Sequence, residues 1–297
     1  MYNSKNRYIF ALVIKNKTYK RKRIMCYISD LKEAGFSYLG GLKHSVKMNK
    51  SYKHNVATYC VYLAPATMAG RTKKGSRINV CPFSQHCKDL CLNAAGHNKA
   101  DILQKGGKHS SINRSRIKKT KLFYNDRDMF MRLLVHEINR DRKYAQNKGM
   151  EFSIRLNGTS DLSPELFKVG DKNILELFPD VQFYDYTKVI KRLELMKKYP
   201  NYDLTFSFDG YNWETCEKFL QDNGKVAVVF DSKVMPKTYK GYTVIDANDY
   251  DMRYLDPKGC IMGLHYHTTA NDNGLVKAED VDSKFIVKCA TDPDVIM

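Results

Sequence analysis

The alternation of short apolar segments with amphipathic ones after Gly149 constrains the fold of this chain more than any other feature. The segments "MEFSIRL", "VQFYDY" and "KVAVVFD" are typical of buried strands, whereas "TKVIKRLELMKKYP" and "NWETCEKFLQDNG" have the spacing and end residues of helices. Strands that alternate with helices form βαβ units and a parallel sheet. Further strands are expected at "ATYCVYLAPA", "YDLTFSF", "YTVIDAN", "CIMGLHY" and "KFIVKC". The pattern predicts an α/β fold, a partial or complete βα barrel.

The sequence divides into two parts near residue 55. Residues 1–55 are basic, aromatic and weakly patterned, and we interpret them as a basic N-terminal extension. Residues 56–297 carry the strand and helix pattern, so they are interpreted as a barrel-like domain with a cysteine-rich loop at 79–96. A long helical stretch is expected at 112–147 with a break near Asp126 and Asp128, and a further helix at 163–179.

Polar residues follow several of the predicted strands at the point where each strand ends. The carboxyl ends of parallel strands meet at one edge of the sheet, where α/β proteins bind their ligands. A turn or a helix cap is the more common role for any one such residue, but the set as a whole predicts a site for a small cofactor or substrate. The residues expected there are Asn157, Thr159, Asp161, Asp185, Tyr186, Lys188, Ser207, Asp209 and Asp231.

Three cysteines lie close together in "NVCPFSQHCKDLCLNAAG", directly after the first predicted strand of the barrel-like domain. Cys81, Cys87 and Cys91 have the spacing C-x5-C-x3-C. Three thiolates on one loop can ligate three irons of a [4Fe–4S] cluster and leave the fourth iron open. Alternatively, the three cysteines and His97 form a Cys3His set that suits a structural zinc ion. The position of the loop ahead of a long helix and a βα repeat favours iron–sulfur, and simple packing of free thiols is the third interpretation.

The other cysteines are scattered, which is typical of packing residues. They are Cys26, Cys60, Cys216, Cys260 and Cys289. Eight cysteines in 297 residues are too dilute for a disulfide scaffold, and the close triplet favours a reducing compartment. A cytoplasmic location is therefore expected.

The net excess of positive charge is confined to the N-terminal half of the chain. Residues 1–150 contain 32 Lys and Arg against 8 Asp and Glu, whereas residues 151–297 contain 18 against 24. Clustered cations gain free energy by releasing counterions from phosphates, so nucleic acid or a phosphorylated substrate is the expected partner; a solvated basic surface is the alternative. The densest run near the cysteines, with a predicted role in phosphate contact, is Arg114, Arg116, Lys118, Lys119 and Lys121.

Two further polar segments have weaker signals. "VIDANDYDMRYLDPKG" groups Asp246, Asp249, Asp251 and Asp256 around Arg253, and pairing with that arginine is favoured over a metal site because the spacing of a calcium loop is absent. His265 and His267 would share one face of a strand, where they could bind a metal or phosphate.

Several classes of protein are excluded by what the sequence lacks. No apolar run is long enough for a membrane span, and the first residues do not have the pattern of a signal peptide. The nucleotide-binding and hydrolase motifs G-x-G-x-x-G, G-x-x-x-x-G-K-[ST], G-x-S-x-G and H-E-x-x-H are also absent.

The order of motifs resembles that of the bacteriophage family known as gene product 88. The resemblance rests on "CPFSQHCKDLCLNAAG", "SRIKKTKLFYNDRDMFMRLLVHEI", "FSIRLNGTSDLSPELF", "FYDYTK", "YDLTFSFDG" and "VIDANDYDMRYLDPKG", and it covers Ala57 to the C-terminus. It implies a phage-encoded protein acting in the host cytoplasm, without implying a reaction.

A more distant likeness is to the radical S-adenosylmethionine barrel, in which a three-cysteine loop follows the first strand. That resemblance implies that Gly158 and the residues from Thr159 to Asp161 meet the amino group of the cofactor's methionine. The chain departs from the pattern in two places, because C-x5-C-x3-C replaces C-x3-C-x2-C and "NGTSD" replaces Gly-Gly-Glu.

Taken together, the residues predict an iron–sulfur protein, and within that class a radical-type enzyme. Its cofactors would be a [4Fe–4S] cluster and S-adenosylmethionine, its substrate a nucleotide, a nucleic acid or a host component, and it would need a reductant. The alternative is a non-catalytic nucleic-acid-binding protein stabilised by zinc.

Overall fold

One large mixed sheet organises the described residues, which are Ser29, Gly35, 38–42 and 46–297 of a computed structural model. The strands of this sheet are β1 (Gly40–Gly41), β2 (Val56–Val61), β3 (Glu151–Arg155), β6 (Gln182–Thr187), β7 (Tyr202–Ser207), β8 (Val226–Phe230), β9 (Thr238–Tyr239), β10 (Tyr242–Asp246), β11 (Ile261–His265), β14 (Ile286–Val287) and β15 (Val295–Ile296). Two small hairpins lie outside it, β4 (Lys168–Val169) with β5 (Lys172–Asn173), and β12 (Thr269–Asn271) with β13 (Gly274–Val276).

The helices connect the strands along the chain. They are α1 (Val46–Ser51), α2 (Gly96–Lys105), α3 (Ser111–Asn125), α4 (Arg127–Asn147), α5 (Ile174–Leu177), α6 (Ile190–Leu193), α7 (Leu195–Lys198) and α8 (Trp213–Gln221). Within the part of the chain that the structure describes, none of the helices is long and apolar enough to cross a bilayer.

The strand order confirms an α/β sheet but not a closed barrel. Five successive parallel strands lie side by side in the order β2, β3, β6, β7 and β8, as they would in part of a barrel. The order then reverses, because β11 lies between β8 and β10. Among the described strands the path ends at β1 on one side and β15 on the other, so the complete barrel of the sequence prediction is not formed.

The long connection between β2 and β3 covers one face of the sheet. Tyr59, Ile154 and Phe183 project from neighbouring strands into a core that also contains Phe123 of α3 and Leu134 of α4. Residues one position along each strand point to the opposite face, since side chains alternate across a strand. There Tyr184 packs against Met252, so the segment after β10 covers the second face.

The predicted break in the long helical stretch is confirmed. Helix α3 ends at Asn125, and the side chain of Asp126 accepts a hydrogen bond from Met129 N at 3.0 Å, which caps the start of α4. An aspartate at this position satisfies an amide that has no partner inside the helix.

Two other helix predictions are wrong. Residues 163–179 form a short 3-10 turn, the β4–β5 hairpin and α5, because Gly170 adopts a φ of +60° and Asn173 starts a new helix with a capping box. The predicted helix "TKVIKRLELMKKYP" is divided into α6 and α7 at Glu194.

The sheet begins before the predicted domain boundary at residue 55. Strand β1 pairs antiparallel with β2, and Leu39 and Leu42 are buried in the core. These residues contribute to the sheet and its core. Most of the predicted N-terminal extension lies outside the described residues.

Candidate functional site

The cysteine loop follows β2 at the carboxyl edge of the sheet. Val80, which is buried just before Cys81, accepts a hydrogen bond from Asp161 N at 2.7 Å and donates one to Ala66 O at 3.0 Å. Ala64 N donates to Thr120 Oγ1 of α3 at 2.8 Å. These bonds attach the loop both to the segment after β3 and to the helix that follows the loop.

The three thiols of the loop lie close enough to interact electrostatically. Burial raises the pKa of Cys81 to about 12, and the nearby thiols of Cys91 and Cys87 add to the increase. Burial also raises the pKa of Cys91, to which Cys87 contributes, while Arg116 and Lys188 act in the opposite direction. A charge on one thiol is therefore felt by the others, and in the absence of a metal Cys81 and Cys91 are neutral at pH 7.

The hydrogen bonds of the thiols are few and weak. Cys81 Sγ donates to Thr159 O at 3.7 Å, Cys87 Sγ donates to Ser84 O at 3.9 Å, and Cys91 Sγ accepts from Asn93 N at 3.5 Å. Across the described residues, no three His, Cys, Asp or Glu side chains are placed to hold a single metal ion. His97 is exposed at the start of α2, so the Cys3His set is not assembled in this structure.

The predicted cofactor residues after β3 are engaged inside the protein. Asn157 is buried and donates from Nδ2 to Leu162 O at 3.0 Å and to Asp185 Oδ2 at 2.8 Å. Thr159 Oγ1 donates to Leu63 O at 2.5 Å. Gly158 has no room for a side chain, because a Cβ there would lie 2.6 Å from the ring of Tyr62.

Two acidic residues of the same edge share one arginine. Asp161 accepts hydrogen bonds from Thr187 Oγ1 and Lys188 N, both at 2.9 Å, and from Arg192. Asp185 accepts from Tyr202 Oη at 3.2 Å and from Arg192 Nη2 at 3.5 Å. Burial raises the pKa of Asp185, and Arg192 opposes that shift. We call Asn157, Asp161, Asp185, Arg192 and Tyr202 the acidic network.

Lys188 and Ser207 lie at the same edge but are less enclosed. Both are half-buried, and the Nζ of Lys188 is 5.5 Å from the centre of the Phe285 ring. Ser207 O accepts from Asn212 Nδ2 at 3.0 Å. The cofactor role predicted for the residues of this edge stays a prediction. Among them, Lys188 lowers the pKa of the Cys91 thiol through its positive charge.

The predicted phosphate-binding run is divided between two faces of α3. Arg114, Lys118 and Lys121 are exposed. Arg116 instead donates to Asn93 Oδ1 and lies 5.0 Å from the ring centre of Tyr62. Lys119 is buried with its Nζ 4.4 Å from the ring centre of Tyr38, and burial lowers its pKa to about 8.

A cluster of buried amides joins the end of the cysteine loop to α2 and α3. Asn113 Oδ1 accepts from Asn93 Nδ2 and Asn98 Nδ2, both at 3.0 Å, and Asn98 Oδ1 accepts from Ser110 Oγ at 2.9 Å. Sequence reasoning missed these residues and also Arg192 and Tyr202. Ser110 had a local signal, because its Oγ accepts from Asn113 N at 3.1 Å as the N-cap of α3.

The acidic segment after β10 pairs internally, and the pairing predicted with Arg253 is formed by Asp256, whereas Asp251 pairs with Arg155. Arg253 Nε lies 3.0 Å from Asp256 Oδ2, and Arg155 Nη1 lies 2.5 Å from Asp251 Oδ2. Asp246 Oδ1 accepts from Asn248 N at 2.9 Å in a turn. The imidazole of His265 contacts Ser232 O at 3.0 Å, and its ring centre is 5.3 Å from that of His267.

Comparison with known proteins identifies a family but no better-characterised relative. A family model described as Gene product 88 matches residues 40–287. No curated protein and no solved structure matches the chain. The comparisons thus give no support to the more distant likeness to radical S-adenosylmethionine barrels. The match covers most of the chain and includes the cysteine loop and the acidic network, so this protein belongs to the Gene product 88 family of bacteriophage proteins.

Proposed function

We propose that this protein is an enzyme that holds an iron–sulfur cluster on Cys81, Cys87 and Cys91 and acts on a nucleic-acid substrate. The observation that carries the proposal is the mutual proximity of three thiols on one loop at the carboxyl edge of the sheet. Enzymes with parallel βα units place their reactive groups at this edge.

A cluster and a single ion place different demands on the three thiols. A zinc ion draws four ligands to within about 2.3 Å of one point, so its ligands must converge closely. The three thiolates of an open cubane bind three different irons and can stand farther apart. The electrostatic interaction of Cys81 with Cys87 and Cys91 supports the placement of all three thiols around one such group.

Two cations of the chain support an anionic group at this position. Arg116 and Lys188 both lower the pKa of Cys91 against the effect of burial, so they favour the thiolate over the thiol. Thiolate ligands add negative charge to a cluster. Nearby positive charge stabilises this negative charge and therefore favours the reduced state of the cluster. The guanidinium of Arg116 is held by Asn93, two residues after Cys91, which keeps it beside the loop.

The acidic network connects the cysteine loop to the neighbouring strands. Asp161 N is bonded to Val80 O next to Cys81, while the side chain of Asp161 is held by Thr187 and Arg192. This chain of contacts fixes the position of the loop relative to β3 and β6.

When bound, a reduced cluster with an open iron would supply one electron to S-adenosylmethionine.

Metal analysis of the protein purified without oxygen tests the proposal. We expect about four irons with matching acid-labile sulfide per chain, and absorbance typical of a cluster. Cys87→Ala should lose the iron, whereas Cys260→Ala should keep it, because Cys260 is equally half-buried but lies outside the loop. One zinc per chain without sulfide would overturn the cluster assignment and favour a zinc-stabilised binding protein.

A further inference from the structure

Exposed aromatic rings and lysines from three separate segments meet beside the cysteine loop. His86 of the loop stacks on Tyr211, with ring centres 4.2 Å apart and an angle of 37° between the planes. The Nζ of Lys284 is 5.5 Å from the centre of the Tyr211 ring. We call His86, Tyr211 and Lys284 the stacking platform.

The rings of the platform face solvent. Tyr211 is 60% exposed, and His86 and Lys284 are also exposed. Phe83, on the same loop as His86, is 48% exposed. At 60% exposure, part of the Tyr211 ring stays open to solvent beside His86 and Lys284, and a flat ligand can cover that part.

The backbone under Tyr211 is fixed, although the side chain is exposed. Asp209 Oδ1 accepts from Tyr211 N at 2.9 Å and from Asn212 N at 3.1 Å. Gly210 has a φ of +98°, and a Cβ there would lie 2.7 Å from the backbone of Lys284 and Phe285. The turn therefore packs directly on the segment that carries Lys284, so the ring and the cation are held next to each other before any ligand arrives.

The platform adjoins Lys188, the cation that follows β6. Phe285 follows Lys284, and its ring centre lies 5.5 Å from the Nζ of Lys188, which is near Cys91. Aromatic rings for bases and lysines for phosphates are the combination by which proteins bind single-stranded nucleic acid. In a duplex, the faces of each base are covered by the adjacent base pairs, so only an unpaired base can stack on such a ring.

From this geometry we infer that the stacking platform binds an unpaired base of single-stranded nucleic acid, with Lys284 at the adjacent phosphate. The inference rests on the proposed function for its choice of a nucleic-acid ligand. It adds the contact residues and the requirement for unpaired bases. The excess of Lys and Arg in residues 1–150 provides further attraction for the backbone.

Fluorescence anisotropy with a labelled single strand of about 15 nucleotides, as DNA and as RNA, measures the predicted binding. The full-length Tyr211→Ala protein should bind about 5- to 100-fold more weakly, the range reported for removal of one stacking ring. Tyr211→Phe should bind like the original, because the ring is retained. Tyr144→Ala is the matched control, since Tyr144 is 37% exposed near the end of α4, at the opposite edge of the sheet.

Three results would overturn the inference: unchanged affinity in Tyr211→Ala, equal affinity for a duplex of the same sequence, or no binding at low salt. If ATP displaces the labelled strand at a concentration similar to that of the strand, the platform is a site for a free nucleotide instead of a strand. The metal content of each variant is measured on the same samples. Weaker binding by Tyr211→Ala with its iron retained therefore supports the platform itself, whereas absence of iron from all samples counts against the cluster assignment alone.

Discussion

The acidic network and the cysteine loop lie at the same edge of the sheet, yet their polar groups are used in opposite ways. The side chains of Asn157, Asp161 and Asp185 all have partners inside the protein. The thiols of Cys81 and Cys87 have only long contacts with backbone oxygens. Groups whose hydrogen bonds are satisfied internally stabilise a fold, whereas groups with weak partners remain available for a ligand. Substitutions in the network should therefore lower stability, and those in the loop should change binding.

Arg192→Met should have the largest effect on stability. It leaves the carboxylates of Asp161 and Asp185 buried without their cation, and removal of one partner from a buried pair costs about 3–5 kcal/mol in free energy of unfolding. Urea titration measures the change. Lys218→Met is the control, since its pair with Glu214 is exposed and screened by solvent, so its loss should change the stability little. A similar small loss in both variants would contradict a stabilising role for the network.

Lys119→Met should stabilise the protein below pH 8. Burial lowers the pKa of Lys119 to about 8 in the folded protein, against about 10.4 in an unfolded chain. Between these values the unfolded state binds more protons, so the stability of the original protein rises with pH. The variant lacks this cost and should be more stable by about 2–3 kcal/mol at pH 7, with the difference shrinking toward pH 10. Urea titrations at a series of pH values check this; a constant difference would show that Lys119 does not titrate as described.

Gly158→Ala should lower the free energy of unfolding by about 1–3 kcal/mol in metal-free protein. The new methyl group would meet the ring of Tyr62 at 2.6 Å and Val61 O at 2.9 Å, so the loop after β3 must move. Thermal and urea unfolding provide the measurement. Unchanged stability would show that Tyr62 moves aside at little cost and that packing does not require the glycine.

Cys87→Ala should have the smallest effect on the stability of metal-free protein, less than about 0.5 kcal/mol. Cys87 is half-buried and donates only one long hydrogen bond, of 3.9 Å, to Ser84 O. The same substitution should remove the iron. Cys87→Ala is therefore expected to change metal binding with little effect on stability, whereas Arg192→Met is expected to lower stability. A large loss of stability without metal would show that the thiol is a packing group.

Local sequence patterns were sufficient to predict the longer strands and the helix break, but they missed most of the strands of two or three residues. Alternating apolar residues identify β3, β6, β7 and β8, and Asp126 marks the start of α4 because its side chain caps the helix. Local patterns failed at 163–179, where the apolar spacing of a helix is interrupted by the positive φ of Gly170 and the cap at Asn173. They also could not exclude a barrel, since strand order depends on where β11 is inserted.

For the candidate site, sequence alone determined the three cysteines, their loop and their position after a strand, because spacing along the chain and strand direction are local properties. Tertiary structure decided which polar residues have their hydrogen bonds and ion pairs satisfied inside the protein. Arg192 and Asp161 are 31 positions apart, and His86 and Tyr211 are more distant still, so no local pattern pairs them. Only the packing of loops at one edge of the sheet gives Asp161 and Asp185 an internal cation, turns Arg116 and Lys119 inward, and leaves the ring of Tyr211 exposed.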